Sequence, residues 1–248
     1  MLEIFTTSEG WLNLVILTFM EIVLGIDNII FIAIVAGKLP KEMQGKARAI
    51  GLFMALLFRI LLLSTISVLT KLTAPVCTLA SFELSARDLI LLGGGLFLLY
   101  KTIKEIIEKF ENADGQHSFK VRETFTGIIT QIIIIDIVFS FDSILTAIGL
   151  SNQIPVMIGA VIISMFIMLL ISGPISGFLN KFPTLKMLAL VFLIAIAFML
   201  VFEGLHLHFL KKEYIYFAMF FCLAYESLNI FLRLKQSKSD KNAPPTQH

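Results

Sequence analysis

The chain has 248 residues, 57% of them hydrophobic and only 15% charged, with a mean hydropathy of +0.90 and a formal net charge of +2. Soluble domains carry about 25% charged residues, so this composition excludes an ordinary water-soluble protein. The small net charge says little about partners: the lipid bilayer is the expected environment and no nucleic-acid partner is expected.

A bilayer's hydrocarbon core takes about 20 residues of helix. Apolar runs of that length recur at about 11–36, 49–70, 88–107, 125–149, 154–176, 184–205 and 214–232. The expected fold class is therefore an all-α membrane protein of seven transmembrane helices. One domain covers 1–235, and 236–248, with Pro244 and Pro245, reads as a disordered cytoplasmic tail. A barrel would show alternating segments of roughly 10 residues, which are absent. The first span follows Glu3 and Glu9 with no Lys or Arg, and no small-residue cleavage site follows it, so it reads as a retained span and not a secretory signal.

Positive residues near span ends set orientation. One side collects Lys38, Lys41, Lys46, Arg48, Lys101, Lys104, Lys109, Lys120, Arg122, Lys181, Lys186, Arg233, Lys235, Lys238 and Lys241. The other has Lys71, Arg87, Lys211 and Lys212, while Arg59 lies inside a span. This alternation predicts an N-terminus outside and a C-terminus in the cytoplasm.

The first span contains Glu21-Ile-Val-Leu-Gly-Ile-Asp27-Asn28-Ile-Ile, and the fourth repeats it as Asp136-Ile-Val-Phe-Ser-Phe-Asp142-Ser143-Ile-Leu. Three spans separate the copies, so they run through the membrane in opposite directions. The pattern predicts an inverted repeat, about 11–107 against about 125–205, with the helix at 214–232 added. A charge at the bilayer centre costs about 2.5–3.5 kcal/mol even on insertion scales, so such acids face a partner or an ion. Glu21, Asp27, Asn28, Asp136, Asp142 and Ser143 form an all-oxygen set suited to Mn²⁺, Mg²⁺ or Ca²⁺ and not to soft metals.

On an unbroken helix Glu21 and Asp27 would point about 120° apart. Either the helix opens at Gly25, and at the equivalent Ser140, or the acids serve successive positions along a path. One central site using Asp27 and Asp142 is favoured, with Glu21 and Asp136 as further ligands or proton carriers. The plainer reading is a structural charge network in which Arg59 neutralises one carboxylate and leaves at least three to be balanced.

Gln131, Glu203, Glu226 and Asn229 are expected to be packing groups, and His206 and His208 to lie at the outer interface. Gly93-Gly94-Gly95 reads as a close helix-packing surface, because no strand precedes it. Ser172-Gly-Pro174-Ile-Ser-Gly177 should kink or end the fifth span, and 104–123 reads as a charged cytoplasmic loop. Cys77 and Cys222 have no ligand-like spacing, so neither a disulfide framework nor a zinc site is indicated.

Glu21-x-x-Leu-x-x-Asp27-Asn28 and Asp136-x-x-Phe-x-x-Asp142-Ser143 resemble the two signature motifs of the TerC family, named for tellurium resistance, within the LysE-like exporters. Ser85-Ala-Arg-Asp-Leu-Ile-Leu, Lys186-Met-Leu-Ala-Leu and Tyr214-Ile-Tyr-Phe-Ala-Met also resemble its short bacterial members. The resemblance implies a seven-span exporter of Mn²⁺ with Glu21, Asp27, Asp136 and Asp142 as metal ligands. Longer relatives add CBS and CorC-type domains, which are not expected here.

The leading expectation is a secondary transporter, not an enzyme, with Mn²⁺ as transported substrate and no permanently bound cofactor. Absence of a nucleotide-binding motif directs the drive to proton exchange. Self-association is left open. The alternatives are export of another cation such as Ca²⁺, or a membrane scaffold with structural acids. An intramembrane hydrolase is weaker, for want of a Ser-His, Cys-His or His-rich constellation at depth.

Overall fold

The computed structural model describes residues 7–65, 75–79, 82–113, 123–150, 153–207 and 212–241. Among them eight helices and one hairpin follow in the order α1 (Ser8–Leu24), α2 (Ile26–Ala36), α3 (Lys41–Ser64), β1 (Pro75–Leu79), β2 (Phe82–Ser85), α4 (Ala86–Ala113), α5 (Phe125–Leu150), α6 (Ile154–Lys181), α7 (Pro183–Gly204) and α8 (Lys212–Lys241). Helices occupy all seven apolar runs, as the need to pair every backbone group within a lipid-exposed segment requires. Four are long and apolar enough to cross a bilayer: α3, α6, α7 and Tyr214–Arg233 of α8. The bent pair α1–α2 makes five. The seven predicted spans are thus matched by four or five at this level. α4 carries charges along its second half.

Local sequence explains where the helices start and stop. Thr7 Oγ1 accepts the Gly10 N–H at 3.2 Å and caps α1. Ser85 and Asp88 form a capping box on α4: Ser85 Oγ accepts the Asp88 N–H at 3.2 Å, and Asp88 Oδ2 accepts the Ser85 N–H at 2.8 Å. α7 begins on Pro183, whose missing N–H costs nothing in a first turn. It ends in a Schellman arrangement, with Leu207 N–H bonded to Phe202 O at 2.8 Å and His206 N–H to Glu203 O at 3.0 Å. His206 fills the left-handed position usually given to glycine, at φ 58°.

Side-chain burial divides the helices into a lipid belt and a core. Trp11 and Phe19 on α1 and Phe217, Phe220 and Leu228 on α8 are exposed large apolar groups, which contact lipid, while Ile29, Ile32, Ile132, Phe141 and Met168 are buried. α4 lies along α7, α3 packs on α5 and α6, α1 and α2 pack on α6, α2 also meets α5, and α8 rests on α7. Small residues set the closest approaches, as in other lipid-embedded bundles. A Cβ on Gly94 would fall 2.3 Å from Val138 Cγ2, and one on Gly95 would fall 3.0 Å from the Ala197 carbonyl oxygen. The packing role expected of this glycine run therefore holds at Gly94 and Gly95.

Several expectations need correction, but the opening named as one possibility at Gly25 is present, α1 and α2 meeting there with a bend of 41°. A Cβ there would lie 2.5 Å from Met168 Sδ and 2.9 Å from Glu21 O, so glycine is what lets the bend dock on α6. The equivalent Ser140 opens nothing, since α5 runs unbroken through it. α6 likewise continues through Pro174 to Lys181 and does not end there. The antiparallel hairpin β1–β2, with Thr78 opposite Glu83, was not foreseen and qualifies the all-α expectation. α4 extends to Ala113 within the stretch read as a loop, and α8 reaches Lys241 within the expected tail. Residues 114–122 and 242–248, and His208, lie outside the described residues, and so does the side chain of Cys77.

Candidate functional site

The bend at Gly25 places Glu21 in the last turn of α1 and Asp27 in the first turn of α2, where the helix dipole favours an anion. Both are buried, at 4% and 2% exposure, and so are Asn28, Arg59 and Asp136. Arg59, from α3, joins the two signature segments. Its Nη1 donates to Glu21 Oε2 at 2.6 Å, while Nη2 and Nε donate to Asp136 Oδ1 and Oδ2 at 3.2 and 3.3 Å. The second contact is a two-pronged guanidinium–carboxylate fork, the strongest neutralising geometry available to a side chain. Arg59 thus engages two acids, correcting the expectation that it would engage one.

Asp136 is saturated from other directions too. Asn28 Nδ2 donates to its Oδ1 at 3.1 Å, and Ser140 Oγ donates to its Oδ2 at 3.0 Å. Ser143 turns to the backbone, donating to Ser140 O at 3.3 Å. Asp27 has a different environment. Its Oδ2 accepts the hydroxyl of Tyr216 on α8 at 3.0 Å, but among the described residues its Oδ1 has no hydrogen-bond partner, and neither does Asn28 Oδ1. Two buried oxygen acceptors on adjacent residues thus lack a donor among the described residues, next to a saturated ion-pair network.

The structure therefore brings Glu21, Asp136, Asn28 and Arg59 into one network and sets Asp27 beside it. Asp142 follows Phe141 on α5, but its side chain is outside the described residues. Among the described residues no group of three or more His, Cys, Asp or Glu side chains is gathered so as to hold a metal ion. Tyr216 had no assigned role in the sequence reading. Its signal was a tyrosine hydroxyl within an apolar span, where such a group needs a partner.

Flanking polar groups mark the two ends of the bundle. At one end Lys38 pairs with Glu105 at 2.6 Å and Glu108 at 3.0 Å, Lys186 reaches Glu105 at 3.2 Å, and Gln131 donates to Glu123 at 2.8 Å beside Lys101. Burial alone would lower the Lys38 ammonium, but Glu105 and Glu108 outweigh it and hold it above the usual lysine range. Burial likewise pushes the Glu123 carboxyl up, yet the Gln131 hydrogen bond and Lys101 hold it below the usual range. A narrow cavity lies at this end, lined by Phe31, Ile34, Val35, Lys38, Glu105 and Gln131 among others. At the opposite end Arg87 pairs with Glu203, and His206 Nε2 lies 2.9 Å from Asp88 Oδ2. Glu226 accepts from Asn229 within α8 at 3.4 Å. Gln131, Glu203, Glu226 and Asn229 thus form pairs apart from the acidic centre, and Cys222 is an exposed free thiol.

Relatives share the chain over nearly its full length. The UPF0053 inner membrane protein YgdQ of Escherichia coli strain K12 is 47% identical over 230 residues, covering 93% of this chain and 96% of that protein. A UPF0053 protein of Haemophilus influenzae is 46% identical over 236 residues, covering 94% and 98%. The UPF0053 inner membrane protein YoaE of E. coli strain K12 is 46% identical over 233 residues, covering 94% of this chain but 45% of its own length. No solved structure matches. The model of the integral membrane protein TerC family matches residues 6–241, a stretch holding both acidic segments, Arg59 and Tyr216, and the chain belongs to that family.

Proposed function

We propose that the chain is a secondary transporter of the inner membrane that exports a divalent metal cation, with Mn²⁺ the first candidate and Ca²⁺ the second. The observation that carries the reading is the pair of buried acceptors without donors, Asp27 Oδ1 and Asn28 Oδ1, at the bend of the first span. A buried carboxylate oxygen with no donor is costly, and a hard cation supplies what it lacks. The sequence repeat, in which Asp142 takes the place of Asp27, makes Asp142 the candidate for a second carboxylate, and a proton arriving at either acid on the outer side discharges the ion. The substrate enters through the cavity between Lys38 and Phe31, one helical turn from Asp27.

Seven spans with the N-terminus outside, built as three plus three inverted helices and an added α8, fit the packing. Exchanging the first and fourth spans, the second and fifth, and the third and sixth leaves the principal contacts unchanged: α3 on α5 becomes α6 on α1–α2, and α4 on α7 maps onto itself. The lysine-rich network at one end fits the cytoplasmic side.

The test is efflux from proteoliposomes holding purified protein, with Mn²⁺, Ca²⁺, Mg²⁺ and Zn²⁺ supplied in turn, with and without a pH gradient. Asp27→Asn should insert normally and lose Mn²⁺ efflux at least tenfold; unchanged efflux by that variant overturns the proposal. The Arg59 bridge favours a second reading in which the chain is a scaffold and the acids are structural. On that reading neutralising Asp27 leaves cellular metal content unaltered.

A further inference from the structure

A carrier in net export must reorient its site without the exported ion once per cycle, and this fold places a fixed cation where that step needs one. Glu21 and Asp136 stand at equivalent positions of the two acidic segments, on α1 and α5. The guanidinium of Arg59 lies between them at 2% exposure and hydrogen-bonds both. Asn28 adjoins this bridge through Asp136, and its own carbonyl oxygen is left without a donor next to Asp27. A divalent ion drawn to Asp27 and Asn28 therefore arrives beside carboxylates already claimed by a resident positive charge. Asp136 already accepts two donors on each oxygen, so a metal ion gains those oxygens only as Arg59 releases them.

We infer that Arg59 is a tethered stand-in for the transported ion: it neutralises Glu21 and Asp136 while the carrier is empty and yields them when the divalent cation binds. This rests on the transporter reading and adds the residue that resets the cycle. The saturated state of Asp136, with four donors from three residues on its two oxygens, is the ion-free form. The geometry also explains why the positive group is an arginine. Its planar fork meets a carboxylate on each of two helices with directed bonds, whereas a lysine ammonium would supply the charge alone.

The consequence is a separation between two transport modes. Exchange of Mn²⁺ for Mn²⁺ across proteoliposomes never needs the empty carrier to reorient, whereas net efflux into Mn²⁺-free buffer does. Arg59→Gln should keep exchange within about threefold of the unaltered protein and lose net efflux at least tenfold. Glu21→Gln combined with Arg59→Gln restores the charge balance and should recover part of the net efflux. Equal loss of both modes in a monodisperse Arg59→Gln protein, or full retention of net efflux, overturns the inference. Where Arg59→Gln fails to insert, Arg59→Lys decides. The inference stands if the ratio of net efflux to exchange stays within about threefold and falls if it drops tenfold. An unaltered protein that moves no divalent cation in either mode overturns the transporter reading and this inference with it, whereas the variant results above bear on Arg59 alone.

Discussion

Replacing Tyr216 with phenylalanine removes one oxygen atom and tests how Asp27 is held. The Tyr216 hydroxyl gives Asp27 Oδ2 its donor at 3.0 Å, and Asp27 Oδ1 has none, so Tyr216→Phe leaves a 2%-exposed carboxyl group without a hydrogen bond on either oxygen. Leaving one buried acceptor unsatisfied costs about 1–3 kcal/mol. For a chain of this size each kcal/mol moves the unfolding midpoint by about 2–4 °C, which gives a fall of about 2–12 °C in the absence of metal. A cation at Asp27 supplies the missing positive partner, so saturating Mn²⁺ should raise the midpoint of Tyr216→Phe by more than it raises that of the unaltered protein. Thermal unfolding in detergent, followed by monodispersity with and without Mn²⁺, reads both effects. A midpoint within 1 °C of the unaltered protein without metal would refute the hydrogen bond's role, and an equal Mn²⁺ increment in both proteins would refute Asp27 as a cation ligand.

Glu123 gives a pH prediction: its folded carboxyl titrates below the unfolded value of about 4.3, so its stabilisation is present above that pH and is lost as pH falls through the folded value. Glu123→Gln should therefore lower the unfolding midpoint at neutral pH and converge with the unaltered protein as pH falls below about 4, as unfolding midpoints across pH would show. At the opposite end His206→Gly and His206→Ala both remove the 2.9 Å contact with Asp88, but glycine adopts φ 58° without steric cost. The glycine variant should unfold about 2–4 °C above the alanine variant, a difference of about 1 kcal/mol; equal midpoints would show that the left-handed position carries no strain.

How much of this was legible beforehand differs by residue. Glu21, Asp27, Asn28, Asp136 and Ser143 were marked by polarity in apolar runs and by the repetition of one segment, and the structure buries all five. Arg59 was marked the same way, yet its two-acid bridge was not, because that depends on the distance between α1 and α5 as seen from α3. Tyr216 was quoted only as part of a resemblance. Gly25 and Ser140 held equivalent places in the repeat and behave differently, because Met168 packs against the first and the second sits in an unbroken helix.

Hydropathy and the repeated motif suffice to mark this chain as a helical membrane protein of the TerC family with acids inside its apolar runs. Hydropathy and the cost of burying charge in lipid act through local composition, which can be read along the chain. Only the tertiary structure decided which acid meets Arg59, which meets Tyr216 and which oxygens are left without a donor. Helices apolar on nearly every face carry no stripe to fix their rotation, so side-chain partners across the bundle are set by packing between segments far apart in the chain.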